Sequence, residues 1–175
     1  VNYTKQQADQ IISDIKRWKK ELNLTHYPRV LFAPNLLEQE GIMRLHNTGD
    51  CYVSADHGEG FCRPLQEALL MGKTAIATAT GGLHDYLSSD YYYPIKSTQV
   101  PVVPQPWIQY YTSDQNWAEP DYEELIKTMR WVFANKEVAN TKGIMAKDYI
   151  KNEFNFQKIG LMMRKRIEDI YKNIG

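Results

Sequence analysis

The stretch ADHGEGFCRPLQEAL, residues 55–69, joins a glycine-containing loop to the start of a helix. Pro64 suits the first turn of that helix, because the amide hydrogen that proline lacks would have no helical partner there. Glu59 and Glu67 stand eight positions apart on either side of it. Such a pair fits a solvated loop that continues into an ordinary surface helix. It also fits a loop and helix start that bind a ligand carrying negative charge and hydroxyl groups.

Short apolar runs on both sides of this stretch predict a parallel β-sheet. CYVSA, residues 51–55, precedes the loop, and TAIATAT, 74–80, follows the helix, which Gly72 ends. PRVLFAP, 28–34, predicts an earlier strand, and a helix over 35–45 connects it to the next one. Strands and helices that alternate with short connections predict an α/β fold, with a Rossmann-like parallel sheet flanked by helices.

The remaining sequence predicts further helices around this sheet. Thr4 and Gln7 form a capping-box pattern at the start of a helix that continues to Leu22. A brief helix is expected over 83–87, and a long ordered loop with a short strand over 91–117. Three helices complete the chain, one starting at Pro120 with an apolar face of Leu125, Ile126, Met129, Val132 and Phe133, one over 137–152 and one beginning near Asn155.

The bulk composition excludes several classes of protein. The chain has 175 residues, enough for one domain, and its 21 basic residues balance its 21 acidic residues. Zero net charge gives no electrostatic argument for a nucleic-acid partner. Cys51 and Cys62 cannot form a disulfide framework, and no apolar run is long enough to cross a bilayer. These features predict a water-soluble cytoplasmic domain with no transmembrane segment.

Two loops leave the predicted strands at their carboxyl ends, where ligands bind to sheets of this kind. They are residues 56–63 and 80–83. The first loop leads into the helix that starts at Pro64, and the free amides of a helix N-terminus favour phosphate. Glu67, one turn into that helix, could accept two hydrogen bonds from a vicinal diol such as a ribose. Glu59 would then lie near a second polyol, so the order of parts fits a sugar nucleotide.

The segment EGFCRPLQEA, residues 59–68, closely resembles the E-G-F-G-x-P-x-x-E-A signature of GT-B-type retaining glycosyltransferases. This is the glycogen-synthase-like and mannosyltransferase-like group 1 family. LHNTGDCYVSAD, 45–56, and MGKTAIATATGGLHDYL, 71–87, resemble the segments that flank the signature in the family. WAEPDYEELIKTMRWVF, 117–133, is similar to a segment that follows the nucleotide site in some members. The resemblance covers residues 28–135 in the family's order.

The resemblance implies a role for each matching residue. Glu67 is the expected ribose ligand, and Glu59 is the expected catalytic ligand of the donor sugar near its anomeric carbon. Backbone groups are expected to complete the donor site at Gly60, Phe61, Cys62, Gly81 and Gly82. The first three would bind sugar hydroxyls or the distal phosphate, and the two glycines would let the backbone pass close to the nucleotide.

Three more side chains beside the motif are candidate donor contacts, Ser54, His57 and His84. Each also has an ordinary structural interpretation: Ser54 can serve packing, and the two histidines can be loop residues without a catalytic task. Tyrosines 91–93, 110 and 111 fit either stacking on a ligand or packing of the long loop, and Trp117 and Glu119 fit closure of that loop onto the next helix. The histidines lack metal-ligand spacing.

The sequence departs from the family in two respects. Cys62 stands where the family usually has glycine. The family's basic residues that neutralise the diphosphate lie on an earlier strand and loop that this chain does not contain, and Arg63 and Lys73 do not match them. Together with an opening on a helix, this predicts that residues 1–175 are a single donor-binding domain, the C-terminal half of a larger GT-B enzyme, lacking its first strand and the N-terminal acceptor-binding domain.

The implied chemistry is transfer of a sugar from a nucleotide diphosphate sugar, with retention at the anomeric carbon. The sugar nucleotide is the co-substrate, and neither a metal nor another cofactor is expected; the 175 residues alone are expected to be inactive. One alternative is a non-catalytic sugar-nucleotide-binding or interaction module. Another is a glycoside hydrolase that uses Glu59 and Glu67 as acid and nucleophile, although one loop residue and one helix residue seldom converge on a single bond.

Overall fold

The computed structural model describes residues 4–23, 25–104 and 110–174. The chain divides into two units, one ending at Ile42 and the other beginning at Met43. No helix in the described part of the chain is both long and apolar enough to span a bilayer.

The first unit contains the predicted N-terminal helix, α1, Lys5–Leu22. The Gln7 amide donates to the Thr4 hydroxyl at 3.3 Å, and the Thr4 amide donates to Gln7 Oε1 at 2.9 Å. Each residue therefore satisfies a backbone donor that the first turn leaves unpaired. The capping box and the helix are confirmed.

The predicted strand over residues 28–34 is wrong, because this segment contains no strand. Its prolines cannot donate hydrogen bonds to a neighbouring strand, and the side chains of Val30 and Leu31 are exposed. The next helix, α2, is Gln39–Thr48, so it begins later than the predicted residue 35. The Ile42 amide donates to the Glu38 carbonyl at 3.0 Å, which places the start of the helix after Glu38.

The second unit is built on a three-stranded parallel sheet with strand order β1-β2-β3. Its strands are β1, Cys51–Ser54; β2, Thr74–Thr78; and β3, Tyr93–Ile95. Cys51 pairs with Thr74, and Ile76 pairs with Tyr93. All five residues of β2 are buried, as expected for a central parallel strand covered on both faces.

Helices connect these strands as the sequence predicts. Helix α3, Arg63–Leu70, follows β1 and ends before Gly72, and the short helix α4, Leu83–Tyr86, follows β2. The two predicted strands around the loop and the two helices after them are confirmed.

The region between β3 and residue 120 departs from the predicted long loop. It contains an antiparallel hairpin of β4, Ser97–Pro101, and β5, Asn116–Pro120. Pro94 lies on the edge strand β3 and Pro101 at the end of β4, positions where the absence of an amide hydrogen is tolerated. These two prolines therefore mark an edge strand and a strand end. Pro104 lies in the connection between the two strands, and Pro106 lies outside the described residues.

Three helices follow the hairpin. They are α5, Tyr122–Ala134; α6, Lys136–Glu153; and α7, Phe156–Ile174. Helix α5 begins at Tyr122 instead of Pro120, and Asp121 is its N-cap, because the Asp121 carboxylate accepts a hydrogen bond from the Glu124 amide at 2.9 Å. On the predicted apolar face of α5, Val132 is buried and Leu125 partly buried, whereas Ile126, Met129 and Phe133 are exposed.

Apolar side chains cover both faces of the sheet. On one face, Ala75 and Ala77 of β2 pack in a cluster with Leu65 and Leu69 of α3 and Ile150 of α6. On the other face, a second cluster is formed by Ile76, Ile95, Val132 and Ala139. The sheet is thus flanked by helices, as predicted, and the loops at the carboxyl ends of β1 and β2 extend from a packed core.

Candidate functional site

The loops that follow β1 and β2 are in backbone contact. The Gly82 amide donates to the Glu59 carbonyl at 3.1 Å. A Cβ atom added at Gly81 would lie 2.0 Å from the Glu59 carbonyl oxygen, and one added at Gly82 would lie 1.7 Å from that of Gly60. Gly81 also has a φ of +60°. Only glycine therefore fits at either position, and the paired glycines fix the conformation of the loop that carries Glu59.

Glu59 lies at the N-terminus of α3. Its Oε2 atom accepts a hydrogen bond from the Cys62 amide at 2.9 Å. The first turn of a helix stabilises negative charge, since its amide dipoles point toward the residue there. The carboxylate is thereby oriented, and its other lone pairs can accept further hydrogen bonds.

Cys62 adopts a left-handed backbone conformation with a φ of +52° immediately before α3. Its side chain is only 2% exposed and packs in the core cluster with Leu65 and Tyr86. Burial raises the pKa of the Cys62 thiol, and the nearby negative charges raise it further. The thiol therefore points inward and away from the surface of the loop. The left-handed backbone gives a physical reason for the glycine that the resembling family has here.

Asp56 joins Glu59 in this loop, and sequence reasoning had missed it. The Ser54 hydroxyl donates a short hydrogen bond to Asp56 Oδ2. Ligand atoms of Asp56, Glu59 and Cys62 all lie within 4.8 Å of one another. Burial favours the protonated thiol of Cys62, and a thiol has to lose its proton before it can bind a metal. The signal that could have identified Asp56 is its position two residues after the end of β1.

Glu67 lies one turn into α3 with its side chain 16% exposed. Arg63 Nε donates to Glu67 Oε1 at 3.1 Å, and His46 Nε2 lies 3.7 Å from Glu67 Oε2. The hydrogen bond from Arg63 thus orients the carboxylate from within α3, and the His46 ring of α2 lies next to it. No sequence motif links His46 to Glu67, because only the packing of α2 brings the two side chains together.

The two candidate histidines have different surroundings. The His57 ring stacks on Trp117, with centroids 4.1 Å apart and planes 16° apart. His57 Nε2 is buried and lies 2.8 Å from Glu119 Oε2, and the Ala118 amide donates to the His57 carbonyl at 2.9 Å. His57 therefore attaches the loop after β1 to the hairpin, whereas His84 is exposed at the start of α4.

The structure thus brings together most of the residues singled out by the sequence. Ser54, Glu59, Gly60, Cys62, Gly81 and Gly82 form one connected group at the carboxyl end of the sheet. The Phe61 carbonyl accepts a hydrogen bond from the Tyr86 hydroxyl at 2.6 Å, so α4 contacts the same loop. Glu67 makes its contacts separately, with His46 and Arg63. The ligand roles of all these residues stay predictions.

Comparison with known proteins gives the fold. No protein-family model matches the sequence, and no curated protein matches it either. Sucrose-phosphate synthase from Thermosynechococcus elongatus superposes with a TM-score of 0.65 at 20% identity, covering 97% of this chain and 36% of that one. The C-terminal domain of a glycosyl transferase group 1 family protein from Francisella tularensis superposes with a TM-score of 0.61 at 16% identity, covering 87% of this chain and 66% of that one.

These likenesses confirm the predicted fold class. The chain has the α/β fold of a GT-B C-terminal domain, with a Rossmann-like parallel sheet flanked by helices. The chain spans about a third of the length of the synthase that it resembles.

Proposed function

We propose that this chain is the donor-binding domain of a glycosyltransferase, which transfers a sugar from a nucleotide diphosphate sugar with retention at the anomeric carbon and without a metal. One observation carries the proposal: the loop with Glu59 is held at the N-terminus of α3 by Gly81 and Gly82, at the carboxyl ends of two parallel strands. This is the place where such sheets bind phosphorylated ligands.

The diphosphate would bind at the start of α3. The helix presents about half an elementary positive charge there, and the amides of Gly60 and Phe61 lie immediately before it. The Cys62 amide already binds Glu59, so a ligand oxygen at that amide would compete with the carboxylate. Glu59 is better placed to accept hydrogen bonds from hydroxyls of the sugar attached to the phosphate.

The ribose would bind to Glu67. Arg63 binds one oxygen of the Glu67 carboxylate and His46 lies beside the other, yet a carboxylate has about four lone-pair sites and therefore keeps acceptor capacity for a vicinal diol. Arg63 also places a positive charge in the first turn of α3, next to Glu67. Glu67 thereby offers a pre-oriented acceptor, which lowers the entropic cost of binding.

The proposed transfer step uses these positions. An acceptor hydroxyl bonds to the anomeric carbon as the bond from that carbon to the diphosphate oxygen breaks, and the same oxygen takes the hydroxyl proton. Positive charge develops on the sugar, where the carboxylates of Asp56 and Glu59 favour it, and negative charge develops on the diphosphate, where the N-terminus of α3 favours it. No protein nucleophile is required.

The acceptor-binding domain of the proposed enzyme would be a separate partner. Support comes from the longer chain of the resembling synthase and from the exposed apolar side chains of α7. They include Leu161, Met162, Met163 and Ile167.

Calorimetric titration with UDP-, GDP- and ADP-sugars tests the proposal. One nucleotide should bind, and Glu67→Ala should weaken it by roughly tenfold or more, since a hydrogen bond to a charged group contributes about 1.5–3 kcal/mol. Glu123→Ala, an exposed glutamate on α5, is the matched control and should bind as the unmodified chain does. Glu67→Gln keeps the side-chain shape and removes the charge. It therefore distinguishes a loss of nucleotide binding from a loss of folding.

Equal affinity of the Glu67→Ala variant and the unmodified chain would remove the ribose assignment. Sugar-nucleotide binding without transfer, in a protein that includes an acceptor-binding domain, would favour the alternative of a non-catalytic module.

A further inference from the structure

A cavity lies beside the loop that carries Glu59. It has a volume of about 750 Å³ and is lined by residues 56–58, Thr80 and both strands of the hairpin. Binding sites for small molecules usually have volumes of about 300–1,000 Å³. The cavity is therefore large enough for one or two sugar rings, and it does not include Glu67, the expected ribose ligand.

One wall of this cavity is aromatic. His57 and Trp117 are stacked with centroids 4.1 Å apart, and Tyr111 meets Trp117 edge-on at 6.1 Å and 77°. Tyr111 is 45% exposed, so part of its ring faces solvent. Rigid aromatic rings offer large contact areas at low conformational entropy, and the C–H face of a pyranose packs on such rings.

The other walls are polar but not basic. The amide side chains of Gln99 and Gln115 and the carboxylate of Asp56 line the cavity, and no lysine or arginine is among the described residues around it. Amides and a carboxylate supply the donors and acceptors that sugar hydroxyls need. A phosphate would lack a counter-charge here, so this lining selects a neutral polyol.

We propose that this cavity binds a neutral saccharide, which is the acceptor of the transfer reaction. The acceptor assignment rests on the proposed function, because residues 56–58 lead directly into Glu59 and thus place the cavity next to the expected donor sugar. The hairpin supplies Trp117 and Tyr111, so this domain contributes to acceptor selection as well as to donor binding.

Fluorine NMR of the full chain labelled with 5-fluorotryptophan tests the proposal directly. The Trp117 signal is assigned by its loss in Trp117→Phe. Maltotriose, cellotriose, mannotriose and lactose are the probes, and at least one of them should shift this signal in a saturable way. Tyr111→Ala should weaken that binding by roughly tenfold, because it removes an aromatic contact. Tyr110→Ala removes the neighbouring, 75% exposed tyrosine and should leave the binding unchanged.

Three results would overturn the proposal: no response of the Trp117 signal to any of the four saccharides, equal saccharide affinity in Tyr111→Ala, or a saturable response to uridine, guanosine or adenosine instead. Saccharide binding should persist in Glu67→Ala, because this substitution is expected to weaken only the binding of the nucleotide. Saccharide binding in a chain that binds no sugar nucleotide would contradict the proposed function and the acceptor role, while the saccharide site itself would stand.

Discussion

Cys62 combines two opposing contributions to stability. Its φ of +52° is unfavourable for a residue with a Cβ atom, by roughly 1–2 kcal/mol. Its buried side chain, on the other hand, fills space in the core next to Leu65 and Tyr86. Glycine and alanine substitutions separate these contributions. Both remove the sulfur atom, but only glycine also removes the conformational cost of the left-handed backbone.

We expect Cys62→Gly to be more stable than Cys62→Ala by about 1 kcal/mol, the reverse of the usual order in which alanine exceeds glycine. The measurement is urea unfolding of both variants at pH 7. An alanine variant as stable as the glycine variant would contradict the left-handed conformation.

The close contact between the loops after β1 and β2 can be tested by a substitution at Gly82. Gly82→Ala should lower the free energy of unfolding by about 3 kcal/mol or more, since its Cβ would lie 1.7 Å from the backbone oxygen of Gly60, which cannot move aside alone. Gly58→Ala is the matched control, because nothing lies within 4 Å of its Cβ. Urea unfolding that gives equal midpoints for the two variants would show that the loops are farther apart than described.

Sequence reasoning identified part of the candidate site and missed part of it. Glu59 and Gly82 could be placed together, because each follows a short apolar strand whose carboxyl end lies at the same edge of the sheet. The contacts of Glu67 with His46 and of His57 with Trp117 could not be predicted. They depend on how α2 and the hairpin pack, and no local pattern encodes that packing.

At the scale of elements, helix α4 connects the candidate loop to α6. The Tyr86 hydroxyl donates to the Phe61 carbonyl at 2.6 Å, and the Tyr149 hydroxyl donates to the Tyr86 carbonyl at 2.8 Å. Burial raises the pKa of Tyr86, and the nearby Cys62 and Glu59 raise it further. Burial likewise raises the pKa of Tyr52 to about 12. Folding thus favours the protonated form of both phenols.

This shift sets the direction of the pH dependence. A raised pKa in the folded state contributes stability that is present below the unfolded pKa, about 10, and is lost as the pH rises through the folded pKa. We expect the free energy of unfolding to fall between about pH 10 and pH 12, and Tyr86→Phe to reduce that slope. At pH 7 the same variant should lose about 1 kcal/mol, because the Phe61 carbonyl loses its donor.

Urea unfolding at several pH values measures both effects. Tyr171→Phe, which alters an exposed tyrosine on α7, is the control and should unfold like the unmodified chain at pH 7. A slope in Tyr86→Phe as steep as in the unmodified chain would exclude Tyr86 as a source of the alkaline instability.

Elements with a strong local pattern were predicted correctly, and those that depend on distant partners were not. The strands of TAIATAT and CYVSA lie in the sheet, and α1 begins at its capping box. PRVLFAP has a comparable apolar pattern and yet forms no strand, because a strand requires a neighbour with which to pair. The hairpin was missed for the opposite reason: its prolines resemble those of a loop, although they lie at strand ends.

At the scale of the whole molecule, the charge balance predicts weak donor binding. The 21 basic residues equal the 21 acidic ones, and Arg63, the basic residue nearest to the start of α3 in sequence, is paired with Glu67. The partial charge of one helix N-terminus then carries most of the attraction for a diphosphate. We expect dissociation constants of roughly 0.1–1 mM, equivalent to about 4–5.5 kcal/mol, for the favoured sugar nucleotide in calorimetric titration.

Amide NMR of the nitrogen-15-labelled chain, titrated with UDP-, GDP- and ADP-sugars, measures whether a sugar nucleotide binds at the loops after β1 and β2. We expect the favoured sugar nucleotide to shift the backbone amide signals of Gly60, Phe61, Gly81 and Gly82 more than any others, in a saturable way. Saturable shifts centred elsewhere in the chain, or unchanged signals at these four amides with all three nucleotides, would contradict this expectation.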